Sequence, residues 1–403
     1  MKRLAMFGLL LGVVCVAVAI GSLQSARGAA PQTPAHIGGV VPVIGKQVGD
    51  AGLPLVYHGG PVMTTNKTYA IYWVPNGYSI ASGYDTKINQ FFGDVAHDSN
   101  MGTNVYAVDT QYSSIQYSSS VGGSWTDTGS FPSSGCPTYE DVTECLTDAQ
   151  IQAEVDHAIS VNGWTRSGTN MFFVFTPALV GSCFDSSGSE CAYTAYCAYH
   201  GTTNSGAIYA NQPYAAHGGC DQGEYPNGSS NQADPTINVV SHEHNEAITD
   251  PQLNAWYDQG GSEIGDKCAW LFGPLQGPAG GEYNQTINGH HYFLQMEWSN
   301  TNPNLTCVQT YSIGGGGGGG GGIPKVTTFF PTAGFVGTSV TINGQHFTGT
   351  TTVSLGGKNE TFTVTSDTKI TAKIVSGTPR GLYPFKVTNT SGTGTSTGRF
   401  FVR

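Results

Sequence analysis

The stretch Ile237-Asn-Val-Val-Ser-His-Glu-His-Asn-Glu-Ala-Ile-Thr-Asp-Pro251 holds the densest collection of polar functional groups in the chain. Apolar residues up to Val240 lead into it, and Pro251 would end a helix by removing an amide donor and restricting the residue before it. At about 3.6 residues per turn, His242 and Glu246 share one helical face, Asp250 lies a further turn along, and Glu243 is rotated by about 100°. An imidazole and a carboxylate on a common face are suitable ligands for Zn2+, and Glu243 then stands where a general base could deprotonate a metal-bound water. The spacing is that of a His-Glu-x-x-His helix with Glu246 in place of the second histidine. His244 points off this face and reads as structural. The bare string also describes an exposed helix whose carboxylates face water, so other residues must decide between the two.

Glu263 and Asp266, just before Cys268, are the acids that could supply a third ligand, and a disulfide at Cys268 would hold their segment in place. Asp250 is a further candidate for that position. The plainer reading has Glu263 and Asp266 capping a turn or pairing with Lys267. His200 and His217, between Cys197 and Cys220, and His58 read as loop histidines held by hydrogen bonds, with the same site as their alternative destination. The chain shows no glycine-rich phosphate loop, nucleotide fingerprint or Gly-x-Ser-x-Gly elbow.

Working outward, Tyr69 to Val74 is aromatic and β-branched like a strand, and Lys87 to His97 has helical spacing through Ile88, Phe91, Phe92 and Val95. Asp148 to Ser160 reads as a second helix, and Met171 to Phe175 as a buried strand. Residues 55–313 are therefore expected to form one α+β body, after an extended lead-in over 29–54. Nine consecutive glycines, Gly314 to Gly322, mark the clearest boundary, because ordering them costs too much backbone entropy. Beyond them come short runs divided by turns: Lys325 to Phe330, Ser339 to Ile342, Thr352 to Leu355, Phe362 to Thr365, Lys369 to Ile374, Tyr383 to Val387 and Arg399 to Val402. This texture predicts an all-β immunoglobulin-like sandwich over 323–403.

Lys2 and Arg3 precede an apolar run from Leu4 to Ile20, and Ala26 to Gly28 offers small residues for cleavage, so residues 1–28 read as a secretion signal. Nothing later is apolar enough to span a membrane. Cys15 leaves with the signal, and the other eight cysteines read as disulfides of an exported protein. Cys136/Cys145 and Cys183/Cys191 look like loop staples; Cys197/Cys220 and Cys268/Cys307 are one pairing of the rest. Between Pro31 and Gly322 five basic residues face 25 acidic ones, which argues against nucleic acid as a ligand. From Lys325 onward eight basic residues accompany only Glu360 and Asp367, which suits an anionic wall or glycan surface, although a solvated face with no such partner is the plainer reading. A monomer is expected.

Two resemblances add to this reading. Pro331-Thr-Ala-Gly334, Gly337-Thr-Ser-Val-Thr-Ile-Asn-Gly344, Phe347 and Gly381 resemble the IPT/TIG family, which implies an Ig-like accessory module without catalytic residues. Tyr57-His-Gly-Gly-Pro61, Tyr72-Trp73, Cys197-Ala-Tyr-His200, the His242 to Pro251 segment, Asn254-Ala-Trp-Tyr257 and Glu263-Ile-Gly-Asp-Lys-Cys268 resemble the EXORDIUM or phosphate-induced protein 1 family of secreted proteins. This implies an extracellular, zincin-like and disulfide-stiffened body; Asp266, 24 residues after His242, also falls near the third-ligand offset of thermolysin-like peptidases. Gly265 and Lys267 depart from the plant pattern, and neither is expected to touch a ligand. Two functions follow as expectations. One is a secreted zinc metallopeptidase-like hydrolase with His242 and Glu246 on the metal, Asp266 or Glu263 as the third ligand, and Glu243 as catalytic base. The alternative is a non-catalytic protein that binds extracellular protein or cell-wall polysaccharide.

Overall fold

The computed structural model describes residues 38–46, 53–301, 305–313, 323–347, 350–366, 368–389 and 392–403. The expected signal, the first part of the lead-in and the glycine tether lie outside them. The body is a mixed α/β structure built on a six-stranded sheet. Its elements are β1 (Gly38–Pro42), β2 (Asn66–Trp73), α1 (Tyr84–His97), β3 (Ser119–Asp127), α2 (Asp148–Asn162), β4 (Asn170–Phe175), β5 (Tyr196–Thr202), β6 (Ile208–Gln212) and α3 (Asp234–Thr249).

The sheet runs β1-β5-β6-β4-β2-β3, with β3, β2, β4 and β6 mutually parallel, β5 antiparallel to β6, and β1 antiparallel to β5. Parallel strands need helical crossovers, which cover both faces of a sheet and make its central strands continuously apolar. Accordingly Asn170–Phe175 is buried at all six positions. On one face Ala70, Tyr72, Phe173 and Phe175 pack with Ile88, Phe91 and Phe92 of α1 and with Ile237, Val240 and Ile248 of α3. On the other, Tyr69, Ile71, Phe172 and Val174 pack with Ile151, Val155 and Ile159 of α2. The period-2 alternation along β2 and β4 thus separates two cores. A capping box of Thr147 and Gln150 starts α2, and Gly163 at φ 65° ends it. The lead-in differs from the expected extended approach, because its Gly38–Pro42 segment is the outermost strand of the body sheet.

Disulfides join Cys136 to Cys145, Cys183 to Cys191, Cys197 to Cys220 and Cys268 to Cys307. After the tether, strands Lys325–Phe330, Ser339–Gln345, Lys369–Lys373 and Thr361–Ser366 form one sheet; a second contains Thr352–Leu355 and Phe385–Asn389. Val340, Ile342 and Ile370 of the first meet Val353, Leu355, Phe385 and Val387 of the second in one core. The run expected over Tyr383 to Val387 is split, with Gly381–Tyr383 pairing with Phe400–Val402 instead.

α3 is buried along its whole length, so its polar side chains must find partners inside. His244 lies against Phe92, Tyr106 and Phe173, with Nδ1 3.1 Å from the Tyr106 hydroxyl and Nε2 3.0 Å from Asn66 Oδ1. Burial holds this imidazole down at about 3, against 6.5 for an exposed ring. The unfolded chain therefore takes up a proton near pH 6.5 that the folded chain refuses until about pH 3. Stability from the neutral ring is complete above the first value and drains as pH falls through the window, by up to about 1.4 kcal/mol per pH unit. Urea denaturation of wild type and His244→Gln between pH 7 and about pH 4 should show a shallower loss in the variant; equal slopes would exclude this role.

Candidate metal centre

Three parts of the body bring ionisable groups to one place. α3 presents His242, Glu243 and Glu246; β5 presents His200; the segment ending in the short 3-10 turn Asp266–Cys268 presents Glu263 and Asp266. His200, His242, Glu243 and Glu246 are 0 % exposed, and Glu263 and Asp266 are buried with them. His242 Nε2 stands 2.9 Å from Glu246 Oε1 and 3.8 Å from Asp266 Oδ1. His200 Nδ1 is 3.1 Å from Glu243 Oε2 and 3.7 Å from Glu246 Oε2, and its Nε2 is 3.9 Å from Glu263 Oε1. Donor atoms of His242, Glu243 and Glu246 fall within 4.8 Å of one another, as do those of His200, Glu246 and Glu263. Glu246 is common to both groups.

Surrounding hydrogen bonds fix the tautomers. Gln295 donates through Nε2 to the Gly265 carbonyl, so its Oε1 accepts, 3.1 Å from His242 Nδ1. Nδ1 of His242 therefore carries the proton, and the Nε2 lone pair faces the acids, the ligand-ready arrangement of a metal-site histidine. His200 likewise places Nε2 3.2 Å from the Asp250 carbonyl, to which it donates, and aims Nδ1 at Glu243 and Glu246.

The electrostatics are those of crowded acids in a dry interior. Burial first, then Glu246, raises the Glu243 carboxyl well above its ordinary range, and the same causes raise Glu263. Asp266 is pushed up to about 8, again by burial and then by Glu246. Burial lowers His200; at His242 burial opposes the charged ring, but Glu246, Asp266 and Gln295 outweigh it and raise the pKa. Among the described residues, histidines alone make ion pairs with these acids, while Lys267 pairs with Asp258 at 2.7 Å. Several buried atoms point into the cluster without a hydrogen-bond partner: His242 Nε2, Glu246 Oε2, Glu263 Oε1 and Asp266 Oδ1. Nε2 of His242, 2.9 Å from Glu246 Oε1, would donate to it once the ring is protonated. Convergent lone pairs on nitrogen and oxygen, with excess negative charge, suit a divalent cation such as Zn2+.

Relative to the sequence-based expectations, His242, Glu243, Glu246, Glu263 and Asp266 are together, and His244 faces away as expected. His200 lies on a strand, not in a loop, and joins the cluster. His217 instead bonds Asp141 at 2.9 Å and stacks on Tyr193, and His58 stacks on Tyr257. Asp250 caps the turn after α3, its Oδ1 accepting from the Asn254 and Ala255 amides, and its carbonyl orients His200. The expectation that Gly265 touches no ligand is corrected: a Cβ there would sit 2.9 Å from His242 Cγ and 3.0 Å from Glu246 Oε1. Gln295 and the Gly39 to Val41 backbone belong to the surroundings of the centre and were not foreseen. Gln295 carries no motif, and a strand in the lead-in has no periodic signal.

Comparison with known proteins agrees with both resemblances. Residues 324–402 match the IPT/TIG domain. The protein EXORDIUM-like 5 of Arabidopsis thaliana is 28% identical over 171 residues, covering 37% of this chain and 43% of the relative. The chain thus aligns with less than half of that relative's length. Among solved structures, SGBP-B from a xyloglucan utilization locus of Bacteroides uniformis is 15% identical, with 29% of this chain and 28% of that chain covered and a TM-score of 0.19. The gamma-CGTase of alkalophilic Bacillus clarkii is 21% identical, covering 34% and 18%, also at 0.19. Scores this low carry no structural argument. The C-terminal residues 324–402 thus match the IPT/TIG domain, and a further part of the chain is similar to EXORDIUM-like 5.

Proposed function

We propose that this is an extracellular binding protein whose body closes around a divalent cation, Zn2+ in the first place, and whose sandwich docks on cell-wall polysaccharide or protein. The observation that carries the cation is the set of orphaned lone pairs on His242, Glu246, Glu263 and Asp266, which converge in a buried site. The docking role rests on the sandwich. Its eight lysines and arginines are all exposed, whereas Glu360 is buried and accepts from the Val375 amide at 2.7 Å and the Thr378 hydroxyl at 2.8 Å. Leu382 and Phe401 face each other across a ladder, both exposed, and the exposed Phe335 ring lies under Arg403 at 6.0 Å. Exposed apolar surface rimmed by cations is a common form of docking site.

A hydrolytic reading comes second, favoured by one observation: Glu243 stands beside the proposed ligands with a raised pKa, as a proton-handling group would. A bound Zn2+ would supply Lewis acidity toward water or a carbonyl oxygen. His242, Glu246, Asp266 and Glu263 would hold it, and Glu243 would take or return a proton at a carboxylate oxygen. The binding reading stands first because the proposed ligands are all buried in this conformation, Asp266 being the most exposed at 5%.

Metal analysis of the purified full chain should find about one equivalent of a divalent cation, lost in His242→Ala and Glu246→Gln and kept in Glu243→Gln. Chelation should lower the melting temperature, since a ligand present at about 1,000 Kd adds about 4 kcal/mol to the folded state. A metal-free wild type with all disulfides formed would reject the cation. Sedimentation with cell-wall polymers should retain the full chain at low salt, and a chain ending at Ile313 should bind at least about tenfold less. Unchanged binding on truncation, with hydrolysis abolished by Glu243→Gln, would transfer the conclusion to the hydrolase.

A further inference from the structure

We propose that the outer edge of β5 is a binding site for an extended peptide with a glycine over His200, and that Gly38–Pro42 is its built-in occupant. β1 follows the chain direction and pairing of such a ligand. It lies antiparallel to β5, with Gly38 opposite His200, Val40 opposite Tyr199, Val41 opposite Ala198 and Pro42 opposite Tyr196. Two register irregularities fall within these five residues, while the inner pair β2 and β4 keeps six consecutive partners in register. Removing β1 would leave a five-stranded sheet with the α1 and α3 core untouched, since no β1 residue belongs to that core. β1 and β2 are successive in sequence yet lie on opposite sides of the sheet centre.

Groups beneath the strand recognise its backbone. The Val41 amide lies 3.4 Å from Glu243 Oε1, and the Pro42 carbonyl accepts from the Trp270 indole at 2.8 Å. Trp270 is held at φ 60°, a conformation unusual for a bulky residue, and so aims its donor at that carbonyl. Gly39 adopts φ 57°, and a Cβ there would fall 2.1 Å from the His200 ring and 2.6 Å from Glu246 Oε2. Only glycine fits at this position, because the backbone itself lies on the charged cluster. The Val41 side chain is fully buried in the second core, which gives the edge a pocket for an aliphatic residue two places after that glycine. Main-chain pairing along an edge with alternate side chains in pockets is how sheets accept peptide strands. The ligand class is therefore an extended peptide with Gly-x-Val character, and binding it in place of Gly38–Pro42 presents that peptide to His200, Glu243 and Glu246.

This names a partner for the proposed centre and rests on that reading only for what the peptide meets, because the strand pairing requires no cation. Hydrogen exchange on the full wild-type chain tests it. Amides of Gly39 to Val41 should exchange at least about tenfold faster than those buried in β2 and β4, through an opening smaller than global unfolding. A labelled synthetic Gly38–Lys46 peptide should bind the full chain saturably, and the same peptide with Gly39→Leu should not. The chain substituted Gly39→Leu should lose protection over residues 38–42 alone and bind more of the wild-type peptide. Exchange of β1 only together with β2 and β4, or equal binding of the two peptides, would overturn the proposal even if Gly39→Leu fails to fold. Metal content, measured on the same sample, separates failure of the cation from failure of the strand.

Discussion

A helix that is buried on every side cannot follow the usual division between an apolar stripe and a wet face, and α3 carries His242, Glu243, His244, Asn245 and Glu246 through the middle of the body. Each of these groups loses its water on folding, and a buried polar atom left unpaired costs about 1–3 kcal/mol. The rest of the body supplies partners for it. Tyr106 and Asn66 receive His244, Ser241 accepts from Asn245, Gln295 orients His242, and His200 comes from the neighbouring strand to meet Glu243. Gln295 is itself held through its backbone N–H, which donates to Asn238 Oδ1 on the same helix at 2.8 Å. The sheet, the loop before Cys268 and the strand around Trp298 thus take their positions from the needs of one helix.

The acids facing this helix can be neutralised by protons or by a cation, and the two are not equivalent. Protonation answers the charge, which is why burial and mutual repulsion drive Glu243, Glu263 and Asp266 upward. It does not provide bonds for the lone pairs of Glu263 Oε1, Asp266 Oδ1 and Glu246 Oε2. A divalent cation answers both requirements with one particle, since it draws charge from the carboxylates and accepts the imidazole lone pair. The Gln295 bond to His242 Nδ1 is consistent with this, because it selects the tautomer whose free nitrogen points inward.

Much of this body could be read from residues whose periodicity is strong. Ile88, Phe91, Phe92 and Val95 marked α1, the Met171 to Phe175 run marked a buried strand, and the short alternating runs after the tether marked the sandwich. Helix limits moved where local chemistry differs from periodicity: α1 begins at Tyr84, before its apolar repeat, and α3 begins at Asp234 with Pro235 in its first turn. The order of strands was not legible, because parallel pairing between β2, β4 and β6 is set by long-range contacts that leave no spacing in the chain. Within the cluster, the α3 members follow from helical geometry, whereas His200 looked like one more loop histidine. Its role depends on β5 lying beside α3, a tertiary fact.

Both walls of the centre are made of glycine backbone, and they differ in permanence. Gly265 approaches His242 and Glu246 from one side with an ordinary negative φ, so its lack of a side chain serves close approach alone. Gly39 approaches His200 and Glu246 from the other side and needs glycine for its φ as well. Glu246 is therefore approached by two glycine backbones, beside the rings of His200 and His242. The Gly265 wall is tied by the Cys268–Cys307 disulfide, and β5 is pinned by Cys197–Cys220. No such link reaches β1, which is held by an irregular ladder, the Trp270 bond and the burial of Val41. Hydrogen bonds of this kind contribute about 1 kcal/mol each, and burying a valine about 1.5–3 kcal/mol, so the strand can leave without unfolding what it covers. Access to the centre is then decided at β1, the one wall that the covalent framework leaves free.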